Sequence, residues 1–572
     1  MCGILLHKRK GIKRNDFLRS LKKIQHRGPD EIDFINYGNL YIGHTRLSII
    51  DLSEYGRQPM ISDCGNFTLS FNGEIYNYKD LKEDLIIKGY MFKSNTDSEV
   101  ILNGFIEYGN DFFQKLNGIF SIIIYDKSQK KITLSRDIFG IKPLYYFIND
   151  NEILLSSEIR VFQDFCEHDP NSKILFLSHG YIPSPNTTLK NVFSLNPGSY
   201  AEIIDNKITF YNFFDLQTLF NNENTLKIEK RLVLNAVQGQ LISDAKIGCF
   251  LSGGIDSSIL SYCANTFLKE IETYSINFKN LEDERVFQKD LIDRYKLKNK
   301  EKIIDYLDFN KYSKKFIDHM DMPTIDGFNT YLVSLLAKEN KSKVAFSGVG
   351  SDELFFGYPT FKKLRLLSFL KIFSKWIPFS IFPNKYKKLD YLLLDSEYGI
   401  YMSHRAIFSI SEISRILKVN AKDILSFLNE YDFKSNPNIS DFSLIQKIGF
   451  YEITKYMEGQ LLKDADVFGM ANSLEIRVPF LDINLAKAVM QIDSKLKLKG
   501  KINKHILIKM FKDEIPEKIY NRKKKGFELP YDLWIDKSGI RNEIKNLYGN
   551  KLNLNKTHWS KIWALHILRS KY

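Results

Sequence analysis

One segment limits the fold more than any other. Between the apolar run Ile247-Gly248-Cys249-Phe250-Leu251 and a helical stretch lies Ser252-Gly253-Gly254-Ile255-Asp256-Ser257-Ser258. A short, fully apolar run reads as a strand buried on both faces, as in a parallel sheet covered by helices. Two glycines let the backbone fold into a concave nest of N–H groups. Ser252, Ser257 and Ser258 add hydroxyl donors, and the helix that follows adds the positive end of its dipole. Such a loop suits a pyrophosphate. It lacks the Gly-Lys-Ser/Thr ending of a Walker A loop and is not a dinucleotide fingerprint. Asp256 has no structural task beyond capping, which points to a Mg²⁺ ligand.

Thr273 to Phe278 and Lys343 to Phe346 read as further strands of the same sheet. The second is followed by another acidic turn, Ser347-Gly348-Val349-Gly350-Ser351-Asp352-Glu353. In a doubly wound sheet both turns open on one edge, so Asp256 and Asp352 can share one Mg²⁺. The chain before about residue 212 has a different texture. Runs such as Leu40 to Gly43, Phe67 to Phe71, Phe120 to Tyr125 and Lys131 to Ser135 are short and β-branched, and helical periodicity returns over Asp97 to Tyr108. Two β-layers covered by helices fit this pattern. Polar Asn221-Asn222-Glu223-Asn224 reads as the linker. Domains are therefore expected at 1–212 and 228–572, with residues 360–445 helical and without legible chemistry.

Cys2 precedes Gly3-Ile4, and removal of Met1 would give it a free α-amine beside its thiol. A thiol needs a base, and an α-amine with a pKa of roughly 8 is one already in place. An amide-cleaving thiol also needs donors aimed at the developing oxyanion, and Asn72 and Gly73 would supply them from one turn. For an amino-acid substrate, Arg46 would hold the α-carboxylate in a bidentate fork, with Glu74 and Asp97 taking the α-ammonium.

Composition excludes several classes. The 572 residues carry five scattered cysteines and no CxxC pair, so neither a disulfide framework nor a zinc site is expected. Lys8, Arg9 and Lys10 cut short the apolar start, against a signal peptide. Leu366 to Pro383 is the most hydrophobic stretch; Lys371 and Lys375 interrupt it, so it reads as a buried aromatic helix and not a span. A cytoplasmic protein without a membrane partner is expected. The net charge of +14 is spread along the chain, and no nucleic-acid partner is expected from it.

Cys2, Gln25-His26-Arg27-Gly28-Pro29-Asp30, His44 to Asp51, Phe71 to Asn77, Thr96 to Glu99 and Arg136 to Tyr146 together resemble the class II glutamine amidotransferases, with N-terminal-nucleophile chemistry. Gln25 to Asp30 looks like that family's loop over the glutamine pocket. The Ser252 and Ser347 loops resemble the ATP pyrophosphatase (PP-loop) synthetases. The order of the two is similar to the glutamine-dependent asparagine synthetase family, and the likeness continues through Leu461 to Asp466, Ser473 to Asp482, Lys504 to Leu507 and Arg522 to Phe527. The resemblance implies an α+β N-terminal-nucleophile hydrolase sandwich (αββα), followed by an α/β doubly wound parallel-sheet PP-loop domain with added helices. It implies glutamine, ATP with Mg²⁺ and a carboxylate acceptor as substrates, and it is compatible with a homodimer. By the same resemblance Leu251, Ile276, Ser347 and Gly348, beside Ser252, Gly253, Gly254, Asp256, Ser257 and Ser258, would line the ATP site, and Lys504 would stabilise the pyrophosphate.

Two departures bear on the acceptor. Some members carry a glutamate where this chain has Val349, and valine cannot act as a base. Asn277 replaces a glycine common after the second strand. Aspartate is the expected acceptor, and a sugar uronate is the alternative.

Overall fold

The structure is a computed structural model and describes residues 2–220, 228–279, 284–377, 379, 383–435, 439–499, 503–522, 529–549 and 557–572. The expected linker at 221–224 and the Lys523 to Phe527 motif lie outside these residues.

Strands of the first part are β1 (Gly3–Arg9), β2 (Glu31–Asn36), β3 (Leu40–Arg46), β4 (Met60–Ile61), β5 (Phe67–Ile75), β6 (Gly118–Asp126), β7 (Lys131–Arg136), β8 (Tyr145–Asn149), β9 (Glu152–Ser156), β10 (Phe193–Ser194), β11 (Ser199–Ile204) and β12 (Lys207–Asn212). They form two antiparallel sheets, ordered β10-β8-β9-β1-β3-β2 and β12-β11-β7-β6-β5-β4. Period-two alternation stacks them. Ile4, Leu6 and Ile42 meet Ile123, Leu134 and Ile203 between the sheets. Leu5 and Tyr41, one residue on, pack with Phe17 and Leu21 of the helix Arg14–Lys22. On the far side Phe71, Ile122 and Ile124 pack with Val100, Ile101 and Phe105 of the helix Asp97–Tyr108. The result is the αββα sandwich.

The second part is built on β13 (Ile247–Phe250), β14 (Glu272–Phe278), β15 (Lys298–Ile304), β16 (Val344–Phe346) and β17 (Glu475–Arg477). They form one parallel sheet, ordered β15-β14-β13-β16-β17. The chain winds outward from β13 to β14 and β15, then returns to the other side for β16 and β17. A crevice therefore opens where the loops after β13 and β16 diverge.

Helices Leu364–Ile372, Tyr398–Arg405, Ile410–Leu417 and Ala421–Ser435 occupy the middle stretch. One expectation is corrected there. The apolar run starting at Leu366 is not a buried helix: the helix ends at Ile372, and Leu366, Phe369, Ile372 and Trp376 face outward.

Buried ion pairs hold the sandwich against the parallel-sheet part. Arg27, paired within the sandwich to Glu158 Oε1 at 3.0 Å, reaches across to Asp466 Oδ2 at 2.7 Å from Nη1, and Arg136 Nη2 lies 3.0 Å from Glu458 Oε1.

Candidate functional site

Two sites emerge, one in each part. The first is a small cavity lined by Cys2, Arg46, Gly73, Glu74, Asp97 and Ser98, among others. β1 delivers Cys2 and β3 delivers Arg46, while Gly73 and Glu74 sit on β5. Cys2 N donates to Asn72 Oδ1 at 2.9 Å, so the side chain of Asn72 fixes the nitrogen expected to act as base. Asn72 Nδ2 lies 3.4 Å from Ser121 Oγ, so its amide donor is turned toward β6. Burial pushes the Cys2 thiol up. Gly73 has a steric reason: a Cβ there would lie 2.0 Å from the Ile119 carbonyl oxygen.

Arg46 is half committed. Its Nη1 donates to Glu31 Oε2 (3.1 Å) and the Ser53 carbonyl (3.0 Å), and its Nη2 to the Asp51 carbonyl. The Nε–H carries no hydrogen bond among the described residues and remains for a ligand. Thr96 caps the helix by accepting from Glu99 N, which leaves the Asp97 carboxyl outside the cap. Asp97 Oδ2 accepts from Ile75 N at 3.0 Å, and burial raises its pKa to about 6. Glu74 is raised well above the carboxylate range by burial and then by Glu475, with Arg477 opposing. The Gln25 to Asp30 segment does not line this cavity. Its Arg27 instead holds the Cys2 carbonyl from beneath, with Nε 3.1 Å away.

The second site is a cavity of about 320 Å³ at the crevice of the parallel sheet. Leu251, Ser252, Gly254, Asp256, Ser257, Ile276, Ser347, Gly348 and Asp352 line it. Gly253 and Ser258 do not. Gly253, at φ +75°, shapes the turn, and Ser258, fully buried, points into the packing of its helix one position beyond Ser257. Ser257 Oγ accepts from Ser252 N at 3.2 Å and lies 3.0 Å from Ser252 Oγ, closing the nest. Gly348 leaves room for the loop, since a Cβ would come within 2.8 Å of Asp256 Cβ.

Lys504 Nζ sits between the two predicted metal carboxylates, 2.7 Å from Asp256 Oδ2 and 2.7 Å from Asp352 Oδ1. The pair thus already coordinates one cation. Asp256 and Asp352 hold the buried ammonium firmly protonated. Gly357 makes the passage for this side chain, because a Cβ would fall 2.5 Å from Lys504 Cε.

Several lining residues were not anticipated: Asp326, Asn329, Thr330, Glu353 and Tyr358. Their signal is weak in the sequence, since they come from a loop, a helix start and a turn. Five carboxyl groups, Asp256, Asp326, Asp352, Glu353 and Asp464, face this cavity, and no lysine, arginine or histidine is among its described lining residues. Val349 lines it too.

Comparison with known proteins follows the same division. Residues 1–214 match the glutamine amidotransferase domain family and residues 229–569 the asparagine synthase family. Asparagine synthetase [glutamine-hydrolyzing] 1 of Bacillus subtilis is 32% identical over 555 residues, covering 92% of this chain and 85% of that protein. A putative asparagine synthetase 2 of Methanocaldococcus jannaschii is 32% identical over 413 residues, 66% of this chain and 79% of that one. A Gibberella zeae protein named amidase chry2 is 24% identical over 579 residues, 90% of this chain and 85% of its own.

Proposed function

The chain belongs to the glutamine-hydrolysing asparagine synthetase family, an ATP-dependent ligase with glutamine as amido donor, and from that premise we propose how its two sites work in series. Cys2, freed of Met1, attacks the side-chain amide of glutamine. Its α-amine, oriented by Asn72 Oδ1, takes the thiol proton. Gly73 N–H, with the Asn72 amide once turned from Ser121, stabilises the oxyanion. Arg46 holds the substrate carboxylate; Glu74 and Asp97 hold its ammonium. The tetrahedral intermediate collapses to a γ-glutamyl thioester as the C–N bond breaks, the α-ammonium returning its proton to the departing ammonia, and water then hydrolyses the thioester to free glutamate and Cys2.

In the second site the Ser252 to Ser258 loop cradles the ATP phosphates, and Leu251, Ile276, Ser347 and Gly348 seat the nucleotide. Attack of the acceptor carboxylate on the α-phosphate gives an acyl-adenylate and pyrophosphate, and ammonia then displaces AMP. The hard oxygens of Asp256 and Asp352, already converging on one cation, fit Mg²⁺, which would supply charge neutralisation for the leaving pyrophosphate. Lys504 moves from the carboxylates to that leaving group. The observation that carries this reading is the bridging of Asp256 and Asp352, both lining the glycine- and serine-rich cavity, by the buried Lys504.

Ammonia is mostly ammonium at neutral pH, so an enclosed route between the sites is required.

Aspartate is the proposed acceptor. Two features favour a uronate as second reading: Val349 in the wall, and the lack of a described cationic lining residue for an α-carboxylate. The test offers aspartate with ATP, Mg²⁺ and glutamine. Asparagine matched by AMP and pyrophosphate supports the first reading. Product only from a uronate supports the second, and ATP cleavage to ADP overturns both.

A further inference from the structure

From Leu354 to Leu389 the chain carries eight lysine and arginine residues and no aspartate or glutamate. The same stretch is rich in aromatic side chains. Its helix Leu364–Ile372 buries Leu364 and Leu367 and turns Leu366, Phe369 and Ile372 outward at 62%, 59% and 72% exposure. Phe373 and Trp376, 47% and 85% exposed, extend the face. Positions 366, 369, 373 and 376 keep helical spacing, so these side chains share one stripe. Single exposed apolar residues are ordinary; a contiguous stripe of five marks an interaction site. Exposed Lys363, Arg365 and Lys375 rim the stripe, and none of the three forms an ion pair among the described residues.

We propose that this face docks on an anionic lipid surface, lying in the headgroup region without crossing the bilayer. Basic residues beside outward Phe and Trp are what an interfacial helix presents to acidic headgroups. The helix is nine residues long, well short of the roughly 20 needed to span. Nor is any helix among the described residues long and apolar enough to cross a membrane. The face is preformed, because Lys371 Nζ donates to the carbonyls of Leu392 and Leu394 and pins the helix to the body. Charge selects the occupant: a second copy would bring the same uncompensated positive rim against its own, whereas anionic lipid neutralises it. The stretch also adjoins the ligase cavity in sequence, since Tyr358 lines that cavity and Pro359–Lys363 leads into the helix. The proposal departs from the sequence expectation of no membrane partner.

The test sediments the full-length protein with vesicles of phosphatidylcholine alone, or of phosphatidylcholine with phosphatidylglycerol, while tryptophan emission is followed. The expected result is binding to the phosphatidylglycerol vesicles only, weakening with salt, with a blue shift that Trp376→Ser removes. Arg365→Gln and Lys375→Gln, at unchanged melting temperature, each weaken binding about fivefold, the equivalent of about 1 kcal/mol per charge. No binding to acidic vesicles at low salt overturns the proposal, as does binding unaffected by these substitutions. A lipid-free dimer lost on Phe369→Ser and Trp376→Ser also overturns it and assigns the face to a second copy.

Discussion

Arg477 reaches from the parallel sheet to Glu74 in the glutamine cavity, with Nη2 3.4 Å from Oε1 and both side chains buried. The same residue's carbonyl accepts from Ser347 N at 2.9 Å, at the start of the second ligase loop. Its Nε donates to Glu475, and its Nη1 to the carbonyls of Gln240 and Ile242. One side chain thus touches the glutamine site while its own backbone holds the other.

Arg477→Met takes from Glu475 the guanidinium that pairs with it and from Glu74 the positive charge that opposes its raised pKa. Removing one partner of a buried pair costs about 3–5 kcal/mol, so the melting temperature should fall clearly and the KM for glutamine should rise about tenfold or more. Calorimetry and glutaminase kinetics check both, and an unchanged KM contradicts a role for Arg477 in positioning Glu74.

Lys504→Met should abolish the ATP-dependent step while glutamine hydrolysis persists. With the ammonium gone, Asp256 and Asp352 face each other unneutralised and should recruit a divalent ion directly. Mg²⁺ without nucleotide should then raise the melting temperature of the variant but not of the native protein. Equal Mg²⁺ responses would remove the carboxylate pair as the metal site.

Asp97 must be ionised to hold an ammonium, and burial raises its pKa from 3.8 to about 6. Glutamine kcat/KM should therefore decline as pH falls below about 6, and Asp97→Asn should flatten that limb. The sign for folding is opposite to that of a paired carboxylate: the folded state binds this proton more tightly than the unfolded chain, so its contribution to stability falls as pH rises from about 4 to 6. A profile flat to pH 5 in the native protein would exclude Asp97 from ammonium binding.

Gly73→Ala forces a Cβ to 2.0 Å from the Ile119 carbonyl. The strand must shift, and glutaminase activity should drop by two orders of magnitude or more while synthesis from added ammonia survives. Retained glutamine hydrolysis would show that β5 can yield without disturbing the site.

Much of this architecture is written locally. The β-branched run Phe120 to Tyr125 and the apolar run before Ser252 name their strands because side-chain shape and turn chemistry act over a few residues. The Cys2 cavity and the nest were legible for the same reason. What escaped depends on distant partners: Arg27 meets Asp466 across 439 positions, and nothing near either residue announces the other. Ser258 falls outside the cavity lining because it is fully buried, in the packing beneath the loop, and burial of one serine in a Ser-Ser pair is decided by distant neighbours. The Leu366 face was misread because hydropathy reports how apolar a helix is and not which side its neighbours cover.

In this scheme Cys2 supplies ammonia to a ligase site that does not itself need Cys2. The most direct test measures amide product from Cys2→Ala with ATP, Mg²⁺ and acceptor, giving either glutamine or an ammonium salt. The expected result is no product from glutamine and near-native rates from ammonium. Product from glutamine, or loss of the ammonium-dependent reaction in a folded variant, would contradict it.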